Sequence, residues 1–178
     1  MTETATLSPY GELIDPVSVR IERMLPGPID RVWSYLTESD MRAQWLASGD
    51  MKLEPGAPVE FVWRNDELGG GAEHRPEGVP EERRMQCAMV RAEPPRLLVI
   101  RWGESGSEVT FELEPQGSEV KLTLTHRRLP DRANLLGVSA GWHAHLELLM
   151  ARLNGTAPPS FWKTWTALRT AYDQRLPA

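Results

Sequence analysis

Three histidines in the second half of this 178-residue chain, one cysteine and a few charged strand residues are the groups whose types and spacing could do chemistry. His126, His143 and His145 raise the question of a metal site, because neutral imidazole is a common ligand. His143 and His145 are two residues apart, about 200° around a helix, and cannot easily converge on one ion. No acidic or thiolate partner stands at ligand spacing, so neither a metal nor a cofactor is expected. Cys87 is the only cysteine; it can form no internal disulfide or thiolate metal site, and reads as a buried apolar filler. The chain has no Gly-x-Ser-x-Gly elbow. Gly69-Gly70-Gly71 lacks the Lys-Ser/Thr and the following helix of a phosphate loop. No catalytic residue is assigned on these grounds. General acid–base work needs only a positioned group with a tuned pKa, and Arg101, Glu60 and His145 could supply one. Arg101 and Glu60 can equally face solvent. His145 lies on an apolar stripe and His126 shares parity with Val120, Leu122 and Leu124. Both read as hydrogen-bonded groups at the edge of the core, with ligand contact as a second role.

The larger chemical signal is apolar. Seven of the thirteen aromatic residues are Trp, each a large rigid face with one N–H donor. Trp45, Trp63, Trp102 and Trp142 can wall a pocket or fill a core. Met85 and Met89 suit the same wall, because thioethers adapt to irregular space. The surrounding composition, 40% hydrophobic and 25% charged, is that of an ordinary globular domain. A net charge of −5 argues against a nucleic-acid surface, which needs a concentrated basic face. No apolar run approaches the ~20 residues that cross a bilayer, so no membrane insertion is expected. The opening Met-Thr-Glu-Thr-Ala-Thr-Leu-Ser-Pro-Tyr shows no signal-peptide pattern. With one cysteine, this predicts a reducing compartment, the cytoplasm.

The elements that must position these residues follow from periodicity. Residues 17–24 alternate, with Val17, Val19 and Ile21 on one face, and read as a strand. Ile29, Val32, Trp33 and Leu36 then fall at helical spacing. Thr37-Glu-Ser-Asp40 has the form of a capping box before a second short helix carrying Met41 and Trp45. Met51 and Leu53 suggest a short strand. Alternating runs at 57–64 and 84–92, a central apolar run at 96–102, and alternation at Val109, Phe111 and Leu113 and at Val120, Leu122, Leu124 and His126 predict an antiparallel meander. Residues 66–82 hold four Gly, two Pro and six acidic residues, and are expected to form a flexible loop. After Pro130 the helical period returns: Asp131 suits an N-cap, Trp142, His145, Leu146, Leu149 and Leu153 form a stripe, and Gly155 suits a C-cap. Gly137 and Gly141 weaken the first half of that helix by about 1 kcal/mol each. A last helix, 160–176, places Phe161, Trp165, Leu168 and Tyr172 on one face. Strand 96–102 is apolar on both faces, so this helix is expected to cover the outer sheet face or a sheet edge, or to do so in a homodimer. Domain boundaries are drawn at 1–16 for an N-terminal arm, 17–155 for the main domain and 156–178 for a helical extension. The class is α+β.

Three segments carry a family resemblance: Val19 to Trp33 with Leu36-Thr37 and Arg42-Ala-Gln-Trp45; Glu93-Pro-Pro-Arg-Leu-Leu-Val-Ile-Arg-Trp102; and Thr123-Leu-Thr-His126 with Gly141-Trp142 and His145-Leu146. In this order they resemble the START-like, or SRPBCC, superfamily, and within it the branch of the C-terminal domain of the activator of the heat-shock-protein-90 ATPase. The resemblance implies a helix-grip fold: a curved seven-stranded antiparallel sheet wrapped around a long C-terminal helix, with two short helices after the first strand. It also implies a cavity that commonly holds a hydrophobic small molecule. The resemblance does not extend to the co-chaperone's N-terminal domain, so its chaperone activity is not expected to transfer.

The expected function is a binding module for a small hydrophobic or amphipathic ligand held between sheet and long helix. Trp45, Trp63, Met85, Met89, Trp102, Phe111, Leu124, Trp142, His145 and Leu149 are the expected wall. A polyketide cyclase-, aromatase- or hydrolase-like enzyme using the same cavity is one alternative, and a co-chaperone-like interaction domain another.

Overall fold

The alternating runs become a single seven-stranded sheet. In the computed structural model, which describes residues 7–177, the strands are β1 (Glu12–Asp15), β2 (Ser18–Pro26), β3 (Pro58–Trp63), β4 (Arg83–Glu93), β5 (Leu97–Trp102), β6 (Ser107–Gln116) and β7 (Glu119–Arg127). Their order is β1-β2-β7-β6-β5-β4-β3, with every neighbouring pair antiparallel. β3 through β7 form a meander, and β2 crosses over to pair with β7. The residues of the arm before Leu7, the first part of the stretch read for a signal peptide, lie outside the described residues, as does Ala178. β1 was not read from the sequence. Its four residues, Glu-Leu-Ile-Asp, carry no clean alternation, yet they pair with β2 and extend the sheet edge. Val17 lies just outside β2 and is exposed, whereas Val19 and Ile21 are buried as expected.

Helices α1 (Ile29–Thr37) and α2 (Ser39–Arg42) follow β2. The capping box does not form. Thr37 ends α1, with its hydroxyl donating to the Trp33 carbonyl, and Glu38 flanks α2 without a side-chain cap. The two helices abut with one residue between them, so Thr37 is spent as a C-terminal residue. Residues Met51 and Leu53 make no strand of their own; Ser48 and Met51 form only isolated bridges to β3.

The long helix α3 (Arg132–Asn154) begins at the expected cap, where the Asp131 carboxylate accepts from the Asn134 amide at 2.8 Å, and ends at Gly155 with φ 67°. It lies in the concave side of the sheet, and Leu146, Leu148 and Leu149 are fully buried. Helix α4 (Phe161–Arg175) overturns one expectation. It packs along α3 and touches the 3-10 turn at Asn65–Glu67 rather than the outer sheet face, while Tyr172 reaches the β1–β2 edge through the Gly11 amide and Val19. α3 is therefore buried on two sides, by the sheet and by α4. A second, smaller apolar cluster seals the joint, with Val19, Leu129, Leu135, Leu136, Ala140, Tyr172 and Leu176. The Tyr172 hydroxyl accepts from the Gly11 amide at 2.7 Å and meets His143 Nδ1 at 2.8 Å. Arg132 holds the far end of α4, donating to the Asp173 and Leu176 carbonyls.

The segment at 66–82 is anchored at its start. Leu68 is buried, the Phe161 amide donates to the Gly69 carbonyl at 3.1 Å, and Asp66 accepts from the Trp162 indole at 2.7 Å and pairs with Arg75. The segment expected to be a flexible loop thus includes one carboxylate that ties it to α4.

Candidate functional site

Where β3 and β5 end and β4 begins, the sheet and α3 leave a cavity of about 850 Å³. That lies within the roughly 300–1,000 Å³ usual for small-molecule sites. Each wall follows from local structure. Trp63 is the last residue of β3, Met85 and Gln86 come from β4, and Trp102 closes β5 on the parity of Leu98 and Ile100. Trp142 and His145 project from α3, and Phe161, Trp162 and Trp165 from the start of α4 close the opposite side. The indoles touch one another. Trp102 lies 5.7 Å from Trp63, 5.2 Å from Trp142 and 5.0 Å from Phe61, ring centre to ring centre. Gly137 and Gly141 also line the space, and a Cβ at Gly137 would meet nothing within 4 Å. Glycines that weaken an isolated helix here leave volume in the cavity.

Five of the ten expected wall residues line this space: Trp63, Met85, Trp102, Trp142 and His145. The other five do not. Trp45, Met89, Phe111, Leu124 and Leu149 are at most 3% exposed and belong to the packed core. These side chains of sheet and α3 share one packed cluster, so the parity that turns a residue inward does not decide whether it meets a partner or empty space. Phe161, Trp162 and Trp165 were not assigned to the cavity; their helical spacing announced an apolar face without saying what it would cover.

The polar groups are held in defined states. The Trp142 indole N–H donates to His126 Nδ1 at 3.0 Å, which leaves the His126 proton on Nε2, 3.1 Å from Ser107 Oγ. His126 thus donates to Ser107 and has no lone pair to offer it. A Ser–His pair at hydrogen-bond distance is present, but in the tautomer opposite to the one a general base requires. Burial lowers the His126 pKa to about 4, so the ring is neutral at pH 7. His145 is the mirror case. Its Nδ1 donates to the Trp45 carbonyl at 2.8 Å and its ring lies 4.5 Å from Phe161. Burial, opposed by the Trp45 bond, lowers its pKa to about 4.

Arg101 is exposed, and Glu60 pairs with Arg84 and Gln86 on the sheet surface, so neither reaches the cavity. Cys87 is buried; its sulfur accepts from the Gly103 amide, and burial raises its pKa, which keeps it a thiol. Among the described residues no group of three His, Cys, Asp or Glu side chains could hold a metal ion. No helix there is long and apolar enough to cross a membrane.

An antiparallel sheet gripping a long helix, with an indole-walled space where the two part, defines a helix-grip domain of the START-like, or SRPBCC, superfamily. Within it the chain belongs to the family described as Activator of Hsp90 ATPase homolog 1-like protein, whose sequence pattern matches residues 26–154. A protein of Bordetella parapertussis encoded by gene BPP1335, solved in solution, shares 42% identity. The match covers 100% of this chain and 97% of that one, with a TM-score of 0.81. CalU16 from Micromonospora echinospora has the same fold at 23% identity, with 90% and 89% of the two chains covered and a TM-score of 0.67. DynU16, from the dynemicin biosynthetic locus, is 21% identical over 81% of this chain and 49% of its own, with a TM-score of 0.62. No curated protein matches the sequence.

Proposed function

We propose that this protein is a binding module that holds one small hydrophobic or amphipathic molecule in the space between the ends of β3–β5, α3 and α4. The observation that carries this reading is the cavity itself: about 850 Å³ walled by Trp63, Trp102, Trp142, Trp162 and Trp165. Trp63, Trp102 and Trp142 pack on one another, as do Trp162 and Trp165, and open volume remains beside both groups. The fold family commonly binds ligands, which supports the same reading. The enzyme alternative would need two polar side chains converging in the cavity in reactive states, and the His126–Ser107 pair is in the wrong tautomer for base catalysis. Among the described residues the large apolar side chains that are exposed, Ile14, Val17 and Val90, are few, which gives the co-chaperone-like alternative little surface to use.

The test is a plug. Gly137→Leu directs a side chain into the open space from a position where a Cβ has no neighbour within 4 Å. The naphthalene probe 1-anilinonaphthalene-8-sulfonate should bind the wild-type protein saturably with a change in indole emission, and should lose at least tenfold in affinity on Gly137→Leu. Absence of binding to the wild type, or binding indifferent to the plug, would overturn the reading.

A further inference from the structure

His145 stands apart from the other polar groups of the cavity because one of its two ring nitrogens is spoken for and the other is not. Nδ1 must carry the proton, since its partner is the Trp45 carbonyl, an acceptor with nothing to donate. Nε2 is therefore a lone pair. It makes no hydrogen bond among the described residues, and it is absent from the polar atoms that are both sealed from solvent and unpartnered. Since His145 lines the cavity, that lone pair looks into it. The ring cannot turn away without losing the 2.8 Å bond to Trp45, and the Phe161 ring lies against it at 4.5 Å. The orientation is fixed before any ligand arrives.

The geometry points to His145 Nε2 as the acceptor that selects the ligand: a flat aromatic molecule that presents a hydroxyl or N–H donor to it. The inference rests on the reading of the cavity as a ligand site and adds the chemical class of its occupant. Trp102 and Trp142, with Phe161 and Trp162 opposite, supply faces and edges suited to a planar ring system. A ligand entering the cavity strips water from Nε2. One that carries a donor replaces the lost bond, whereas one that carries a methyl group leaves a buried acceptor unpaired. Sites built around such an acceptor reject the analogue lacking the donor far better than apolar pockets separate isosteres. The imidazole also stays in its neutral, accepting form across the physiological range, because burial resists protonation.

The experiment compares 2-naphthol with 2-methylnaphthalene, nearly equal in shape and differing in the donor. Affinities are read at pH 7 from indole fluorescence, for the wild type and for His145→Phe, which keeps a ring against Phe161. The 2-naphthol to 2-methylnaphthalene affinity ratio should be about tenfold higher in the wild type than in the variant. An unchanged ratio, with both compounds binding, overturns the role of His145 and leaves the cavity reading standing. If neither compound binds the wild type, the cavity reading itself fails. Should His145→Phe not fold, nitrogen NMR of the wild type decides. His145 Nε2 should resonate as an unprotonated ring nitrogen and shift on adding 2-naphthol but not 2-methylnaphthalene; a protonated Nε2, or equal responses, overturns the proposal.

Discussion

Arg42 shows how much one residue can hold when its partners are four carbonyls and the Met51 sulfur. Its side chain is 1% exposed, and it donates to Ala47 at 3.0 Å, Gly49 at 2.5 Å, Leu36 at 3.3 Å and Thr37 at 3.2 Å. Burial lowers its pKa to about 10, so the guanidinium remains charged at neutral pH and ties the end of α1 to the loop after α2. Arg42→Met keeps the length and strands those carbonyls, and should cost about 3 kcal/mol in urea unfolding. Arg42→Lys should recover only part, because an ammonium cannot reproduce the planar fork; a cost under about 1 kcal/mol for either would contradict the role. The Arg42-Ala-Gln-Trp45 motif drew attention to this residue as a family mark, but a buried Arg without a carboxylate has no signature in sequence. The buried histidines make a second prediction. Both His126 and His145 are lowered from 6.5 to about 4, so between those values the unfolded chain binds protons that the native state refuses. Their contribution is whole above pH 6.5 and is lost as pH falls toward 4, at roughly 3 kcal/mol for each ring. Urea midpoints measured from pH 7.5 to 4.5 should fall, and a flat profile between 6.5 and 4.5 would show that the rings titrate normally.

At the scale of elements, α4 is a working part of the domain. It covers α3, supplies Phe161, Trp162 and Trp165 to the cavity, and buries Tyr172 completely. Truncation after Gly155 should uncover Trp142, His145 and Leu136, lower the thermal midpoint and increase binding of an apolar dye. Equal stability and solubility of the truncated chain would refute this. Within α3, Gly137 can accept a methyl group without contact. Gly137→Ala should therefore raise stability by about 0.5–1 kcal/mol in denaturant unfolding, the helical cost of glycine removed. The existence of α3, its Asp131 cap and its Gly155 stop were legible because capping chemistry is local. The place of α4 was not. An apolar stripe states that a face is to be covered and is silent on which surface covers it, and both α3 and the outer sheet face were available. β1 was missed for a related reason, since an edge strand of four residues is held by its pairing with β2 rather than by its own pattern.

For the whole molecule, occupancy of the cavity and stability of the fold are linked. A ligand that binds only the native state stabilises it by about 2.7 kcal/mol at a hundred times its dissociation constant. Saturating 2-naphthol should then raise the unfolding midpoint of the wild type, and should leave that of Gly137→Leu nearly unchanged. Equal shifts for the two proteins would place the binding site elsewhere. The same global view explains the divided fate of the expected wall. Phe111, Leu124 and Leu149 lie on inward parity as Trp102 and Trp142 do, yet they are closed in the packed core, while the two indoles border the cavity.

The sequence by itself determined the strands of the meander, the caps of α3 and the inward parity of nearly every residue that mattered, and its family resemblance carried the helix-grip arrangement. These are local or pairwise properties: a period of two or of 3.6, a carboxylate before a helix, a glycine after one. The tertiary structure decided which inward residues face a void, which surface α4 covers, and which nitrogen of His126 and of His145 holds the proton. Those outcomes depend on sheet curvature and on partners tens of residues away, such as the Trp45 carbonyl that fixes His145 and the Trp142 indole that fixes His126.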